Sequence, residues 1–398
     1  MSQQSVIIVG AGPVGLVAAL CLAEAGIPVT VVEAHGEVPK DLRASTFHPP
    51  TLDMLDRFGI SDELVARGLV CPTWQFRDRS EGVVAEFDLG LLRDETRHPY
   101  RLQCEQWKLG EALRDRMEGR SDVQIRYHTR AQAVTQDADG VTLTVETPEG
   151  KTEILAGRYL IAADGAHSAV RKSLDIEFEG LTIPEIFLSM STDYDFAEAF
   201  GDLAPIAYIT DPNEWAVLLR TPSLWRVLLP TDPGLSEAEI KDPEVMQQRL
   251  QKICPREGKY EIVHATAYRV HQRVAKRYVE GRIFLAGDAA HLNNPLGGMG
   301  MNGGIHDAIN LTEKLIEVWN GAPLEGMTRY ERQRRQGAID TVQEQSLRNR
   351  KIMAENDPAA RAAHHDELRA IAADPVRHKA YLMRSSMIQS LQDLEQIA

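Results

Sequence analysis

The apolar positions along the chain fall into two periods. Val6–Val9 is a run of four β-branched residues that stops at Gly10, the pattern of a strand covered on both faces. From Val14 to Ala25 the chain is Ala, Leu and Val with one late acid, and Gly26 follows, which predicts a helix and its stop. VTVVEA (29–34) predicts a second strand, so a βαβ unit fills the first ~35 residues. Helical spacing recurs in PPTLDMLDRFG (49–59), opened by proline and closed by glycine, and in EQWKLGEALRDRMEG (105–119). AQAVTQ, VTLTVE and KTEILAGRYLIAAD then predict three strands around Asp139-Gly140 and Pro148-Glu149-Gly150. Between Ile183 and Arg273 the texture changes to short strands, IAYIT, EWAVLLR and LWRVLLP, set between Asp-Pro and Thr-Pro breaks and interrupted by the helix DPEVMQQRLQKI. That predicts a second body on a mixed or antiparallel sheet. RIFLAGDAAH (282–291) returns to a buried strand, so the first body is expected to be discontinuous in sequence. From Asn302 onward the chain reads as helix, with Pro375 as one interruption.

Composition narrows this outline. A length of 398 residues with 43% hydrophobic and 26% charged positions suits a globular protein of two or three domains. A net charge of −14 argues against a nucleic-acid partner. Cys21, Cys71, Cys104 and Cys254 form no C-x-x-C pair, which excludes a zinc ribbon and fits a reducing cytoplasm. No metal site is expected. Val6–Ala23 is apolar enough to pass for a membrane span. Pro13 and three glycines interrupt it, however, and MSQQ ahead of it carries no basic residue, so a soluble, cytoplasmic protein is expected.

Three motifs carry chemistry. Gly10-x-Gly12-x-x-Gly15 follows the first strand and opens the first helix, where glycines allow a tight turn, backbone approach to a pyrophosphate, and close helix–strand packing. Glu33 ends the second strand, eighteen residues past Gly15, where an acid can accept from a ribose hydroxyl; an exposed strand-end carboxylate is the alternative. Asp164-Gly165-x-x-Ser168-x-Val170-Arg171, taken alone, is more readily a strand ending in an Asp-Gly turn than a binding motif. In GDAAHLNNPLGGMGMNGG (287–304), Asp288 at a strand end suits sugar-like hydroxyls. The glycines from Gly297 to Gly304 offer successive N–H groups at a helix start, a nest that stabilises negative charge.

In this order and spacing the three motifs resemble those of the FAD-dependent aromatic hydroxylases of the p-hydroxybenzoate hydroxylase type, over roughly residues 5 to 335. The resemblance implies an α/β fold. Its Rossmann-type FAD-binding domain would comprise 1–75, 100–182 and 274–330, its inserted mixed-sheet substrate domain 76–99 and 183–273, and its helical C-terminal region 331–398. It implies that Gly10, Gly12 and Gly15 hold the FAD pyrophosphate, Glu33 the adenosine ribose and Asp288 the ribityl chain, and that Asp164 ties the FAD and nicotinamide sites together. Arg43 and Gln103 match residues that approach the flavin, and Gly298, Met301 and Asn302 belong to the loop beside its ring. Pro295, its carbonyl facing the substrate, and Asn294, which stands where the family commonly has proline, would line the reacting centre. The implied activity uses NAD(P)H and O2 to hydroxylate an electron-rich aromatic by way of a flavin hydroperoxide, with NADH or NADPH as co-substrate. Another FAD oxidoreductase (reductase, oxidase or halogenase) and a flavin-binding redox sensor are the alternatives. A homodimer is a further expectation. His48, Tyr208, Trp215 and Trp225 are candidate pocket residues, each more often core than ligand contact. His291 reads as a histidine satisfied by the adjoining helix, and Arg332, Arg334 and Arg335 as a solvated helix face.

Overall fold

The computed structural model describes residues 5–37 and 44–398. Val6–Val9 takes the middle of a six-stranded sheet, parallel to Val29–Val32 on one side and to Tyr159–Ala162 on the other. Val123–Arg126 and Ile283–Leu285 extend it in parallel. Strands buried on both faces need apolar cover from helices, and the helix Pro13–Glu24 supplies it. It is buried over most of its circumference between the sheet and the helices Gln106–Met117 and Gly300–Trp319. This explains the apolar run at the N-terminus. No helix among the described residues is long and apolar enough to cross a membrane.

The stretch expected as one strand over 151–164 is two. Thr152–Gly157 closes a three-stranded antiparallel sheet with Arg130–Gln136 and Val141–Glu146, and Tyr159–Ala162 crosses into the parallel sheet. Arg158 between them is the switch, its N–H bonded back to the Ser5 carbonyl at 2.8 Å.

A second, eight-stranded sheet combines Thr73–Asp78 and Gly82–Asp88 with Phe178–Thr192, Ile206–Thr210, Ala216–Arg220, Trp225–Thr231, Ile262–Ala275 and His291–Leu292. Its pairs are antiparallel except for Ile206–Thr210 beside Thr73–Asp78. Alternation along these strands gives the sheet two apolar faces. Ala207, Ile209, Leu218, Trp225 and Val227 pack under the helix Pro243–Ile253, which buries Met246, Leu250 and Ile253 at helical spacing. Ile206, Tyr208, Val217 and Leu228 point the other way, toward the parallel body and toward Leu368, Ile371 and Leu382 of the C-terminal helices. The two long strands Phe178–Thr192 and Ile262–Ala275 run from one body into the other and hold them in register.

Candidate active site

A cavity of about 430 Å3 lies where the two bodies meet. One wall is backbone: Gly12 and Pro13 from the first motif, Gly165 from the second, and Asp288, Pro295 and Gly298–Met301 from the third. The opposite wall is the mixed sheet, with Tyr208, Val217, Leu228, Tyr268 and Val270.

The first motif has a physical reason for each glycine. A Cβ on Gly10, whose φ is +103°, would sit 2.3 Å from the Ala163 carbonyl oxygen, and one on Gly15 would sit 2.0 Å from the Gly10 carbonyl oxygen. Both serve close packing. A Cβ on Gly12 would meet no protein atom within 4 Å, so that backbone is bare toward the cavity. Glu33 is buried and clamps the turn: Ala11 N–H donates to one carboxylate oxygen at 2.8 Å and His35 N–H to the other at 2.9 Å. The helix beginning at Pro13 directs its positive end at this opening.

In the second motif Val170 N–H donates to Asp164 Oδ2 at 3.2 Å, while Asp164 Oδ1 is buried with no partner. Burial raises the pKa of this carboxyl, opposed in part by local hydrogen bonds, the Val170 N–H among them. Ser168 caps the short helix that follows by accepting from Arg171 N–H. The Arg171 guanidinium spans to the Ala289 and Ala166 carbonyls, both at 2.8 Å, and so staples the second motif to the third.

The third motif is held from beneath by Asp307, fully buried on the helix Gly300–Trp319. Its carboxylate accepts from Gly287 N–H at 3.0 Å, from His291 Nε2 at 2.8 Å and from Arg334 Nε at 2.6 Å. Burial pushes this carboxyl up, but His291 and Arg334 outweigh it and hold its pKa at about 2. Arg334 also reaches the Gly303 carbonyl at 3.1 Å and is only 3% exposed, which corrects the reading of that arginine as part of a solvated face. Its partner lies 27 residues away, beyond any local charge pattern.

The loop 293–299 is fixed by side chains that turn away from the cavity. Asn294 is fully buried and places both its backbone N–H and its Nδ2 on Gln272 Oε1, each at 3.3 Å. The Pro295 carbonyl accepts from Gly298 N–H at 3.0 Å and closes a turn. Asn302 donates to the Thr46 and Gly298 carbonyls at 2.8 and 2.7 Å and accepts from His48 N–H. His48 Nε2 donates to the Gly297 carbonyl at 2.8 Å. With those carbonyls engaged, the first N–H groups of the helix Gly300–Trp319 have no intrahelical acceptor and lie at the cavity wall, a site for negative charge. Met301 lies on the same wall. Gln103 is likewise a support, accepting from Ser45 Oγ at 3.0 Å and donating to Thr46 Oγ1 at 2.9 Å, and Ser45 and Thr46 line the cavity in its place.

Of the four candidate pocket residues, the structure brings Tyr208 to the cavity. Trp215 packs edge-on against Phe187, Trp225 fills the core beneath the other face of the sheet, and His48 lies behind the glycine loop. Arg43 lies outside the described residues. Arg101, a buried arginine on the cavity wall, carries no sequence signal, because a lone arginine in YRLQC matches no motif.

These features suit a bound FAD: a bare backbone at Gly12 under a helix N-terminus, an orphaned carboxylate oxygen at Asp164, and a second helix N-terminus beside an apolar sheet. Known proteins agree. The FAD binding domain family model matches residues 3–345. Para-nitrophenol 4-monooxygenase of Pseudomonas sp. (strain WBC-3) is 36% identical over 98% of this chain and 95% of its own. 6-Hydroxy-3-succinoylpyridine 3-monooxygenase of Pseudomonas putida (strain DSM 28022 / S16) is 35% identical over 89% of this chain and 90% of its own. The crystal structure of p-nitrophenol 4-monooxygenase from Pseudomonas putida DLL-E4 superposes with a TM-score of 0.92 at 33% identity, covering 98% of each chain.

Proposed function

This chain belongs to the FAD binding domain family, and from that premise we propose that it uses NAD(P)H and O2 to hydroxylate a small electron-rich aromatic, a ring carrying a hydroxyl or amino group. It is an FAD-dependent aromatic-ring monooxygenase: the FAD binding domain model matches it, and its relatives are monooxygenases by name. The observation that carries this reading is that one cavity is lined by both the glycine-bearing motifs and the apolar sheet wall, room for a cofactor beside a flat ring.

Bound FAD would supply the redox chemistry by which electrons from NAD(P)H reduce O2, one oxygen atom entering the ring and the other leaving as water. The chain's own contribution is binding and placement. Gly12 and the N-terminus of the helix Pro13–Glu24 take the pyrophosphate, with Gly10 and Gly15 holding the turn in shape. Glu33 retains acceptor capacity for a ribose hydroxyl beside the two N–H groups it already binds. Asp164 Oδ1 and Asp288 accept hydroxyls farther along. The N–H groups at Gly300–Met301 face the charge that builds on a reduced ring. Tyr208, Val217, Leu228 and Tyr268 exclude water from the substrate side.

The test is the visible spectrum of the purified protein, followed by NAD(P)H oxidation against a panel of phenols and aminoaromatics under isotopically labelled O2. A flavin spectrum, oxidation stimulated by one ring class and one labelled oxygen atom in the product are expected. A protein that refuses added FAD removes the cofactor assignment. Stimulated oxidation with no label in the product makes the chain an oxidase or reductase.

A further inference from the structure

We propose that the buried guanidinium of Arg101 is the counter-charge for the substrate's ionised ring hydroxyl, and so selects phenols bound as phenolates. The inference rests on the hydroxylase reading above and adds to it the residue that recognises the ring substituent.

Arg101 begins the short strand Arg101–Gln103, paired on one side with Leu69–Cys71 and on the other with Thr46–Phe47. Alternation sends Leu102 into the core of the parallel body and puts Arg101 and Gln103 on the cavity side, where Gln103 supports Ser45 and Thr46. Arg101 lines the cavity and is only 2% exposed. Its guanidinium carbon lies 5.1 Å above the Trp74 ring, and Nη2 makes a long hydrogen bond of 3.4 Å to the Ser385 carbonyl. Its Nε has no partner, and no carboxylate among the described residues lies within ion-pair distance of it.

A buried cation is ordinarily paired, because desolvation is costly and a carboxylate offsets it. Three titratable groups on which Arg101 acts, Cys71, Tyr381 and His48, are uncharged at neutral pH. Burial pushes the Cys71 thiol, on the neighbouring strand, up to about 12. It pushes the Tyr381 phenol, on the C-terminal helix Pro375–Ser385, to about 12 as well. His48, next along the facing strand, is held well below its ordinary value, first by burial and then by Arg101 itself. Arg348 and Arg384 act on Tyr381 in the same sense as Arg101, so the charge around this phenol is positive in sign.

A phenolate supplies what is missing: a compact oxygen anion on a flat apolar body, able to accept from Nε and Nη while its ring rests on the sheet wall. The cation in turn lowers the phenol's own pKa and keeps the ring electron-rich for attack. His48 is excluded as the resting place of the proton. Its Nε2–H is committed to the Gly297 carbonyl, so a proton on Nδ1 would place a second buried cation beside Arg101. The ring proton therefore goes to solvent and not to His48.

The test is equilibrium binding of 4-nitrophenol to the FAD-loaded enzyme, with the phenolate absorbance reporting ionisation and 4-nitroanisole as the ring that cannot ionise. In the unaltered enzyme the bound 4-nitrophenol is expected to stay ionised at lower pH than in water. Arg101→Gln is expected to bind it about 10- to 100-fold more weakly while binding 4-nitroanisole unchanged, and Arg101→Lys to fall between. FAD content and thermal melting check that the variants fold, and the bound-ligand pKa in the unaltered enzyme reads the proposal without any variant. An unshifted bound pKa, no binding of 4-nitrophenol, equal affinity in Arg101→Gln, or an equal loss for 4-nitroanisole overturns it. Failure of the hydroxylase reading has a different signature: the phenolate binds with its pKa lowered, but no labelled oxygen enters the product.

Discussion

Gly12 and Gly15 belong to one motif and answer to different demands. A methyl on Gly15 would overlap the Gly10 carbonyl, so the strand and helix must part to admit it. Gly15→Ala is expected to cost the protein about 1–3 kcal/mol without any cofactor present, visible as an earlier denaturant midpoint. A methyl on Gly12 enters open cavity. Gly12→Ala is expected to change folding stability by about 1 kcal/mol or less, the usual scale at a helix N-cap, and to weaken FAD binding at least tenfold. If the two variants lose stability and FAD affinity in parallel, the division of labour drawn here is wrong. Gly298 combines both demands: its φ is +68°, and a Cβ would come within 3.0 Å of Thr46 Cβ. Gly298→Val should therefore yield protein that neither retains FAD nor oxidises NAD(P)H on adding a phenol; full turnover would refute the placement of this loop beside the cofactor.

The turn Gly287–His291 and the helix Gly300–Trp319 behave as one element because Asp307 joins them, with Arg334 as the outer bolt. A carboxyl held at about 2 against an ordinary 3.8 binds its proton less readily when folded. Its contribution is then fully present above about pH 4 and is lost as pH falls through about 2; the size is on the order of 2 kcal/mol. Asp307→Asn leaves Arg334 buried without its partner and is expected to cost about 3–5 kcal/mol at neutral pH. The same variant should show a flatter loss of stability between pH 4 and 2 than the unaltered protein, measured by urea midpoints across that range; an unchanged acid limb would mean the pair does not carry the charge assigned to it. The sequence made the backbone of this element legible, because glycines and an apolar strand are local signals. It did not reveal the pairing of Asp307 with Arg334, since the partners stand 27 residues apart and Arg334 sits in an arginine cluster that looks solvated. The resemblance singled out Asn302 for the loop beside the ring and Asn294 for the reacting centre; the fold shows them gripping backbone and one glutamine, Gln272.

Across the whole molecule, the C-terminal helices pack against the mixed sheet. The short segments IAYIT, EWAVLLR and LWRVLLP between their proline breaks were enough to foresee a mixed or antiparallel sheet, and the helical tail was equally plain. What covered which face was not, because Leu368, Ile371, Leu382 and Met383 find Trp74, Phe76 and Phe87 only through long-range packing. Tyr381 stacks on Phe87 at 4.7 Å, His378 Nε2 accepts from Asp88 N–H at 3.2 Å, and Arg361 pairs with Asp78. Farther on, Gln333 and Arg329 bond carbonyls of the final residues, so the tail runs from the sheet back to the helix Met327–Gly337 that carries Arg334. Leu382 is fully buried in the same apolar cluster as Tyr208 and Leu296 of the cavity wall. Leu382→Ala should therefore act on two properties at once. The cavity it leaves is expected to lower stability by about 2–5 kcal/mol, read as an earlier urea transition in tryptophan fluorescence, since Trp74 and Trp215 report on this cluster. The loosened wall should also weaken substrate binding while FAD affinity stays unchanged, because the cofactor motifs rest on the parallel body and on Asp307. A variant that loses FAD and substrate together would mean that the tail supports both bodies equally, and that the mixed sheet is not the separate substrate wall described here.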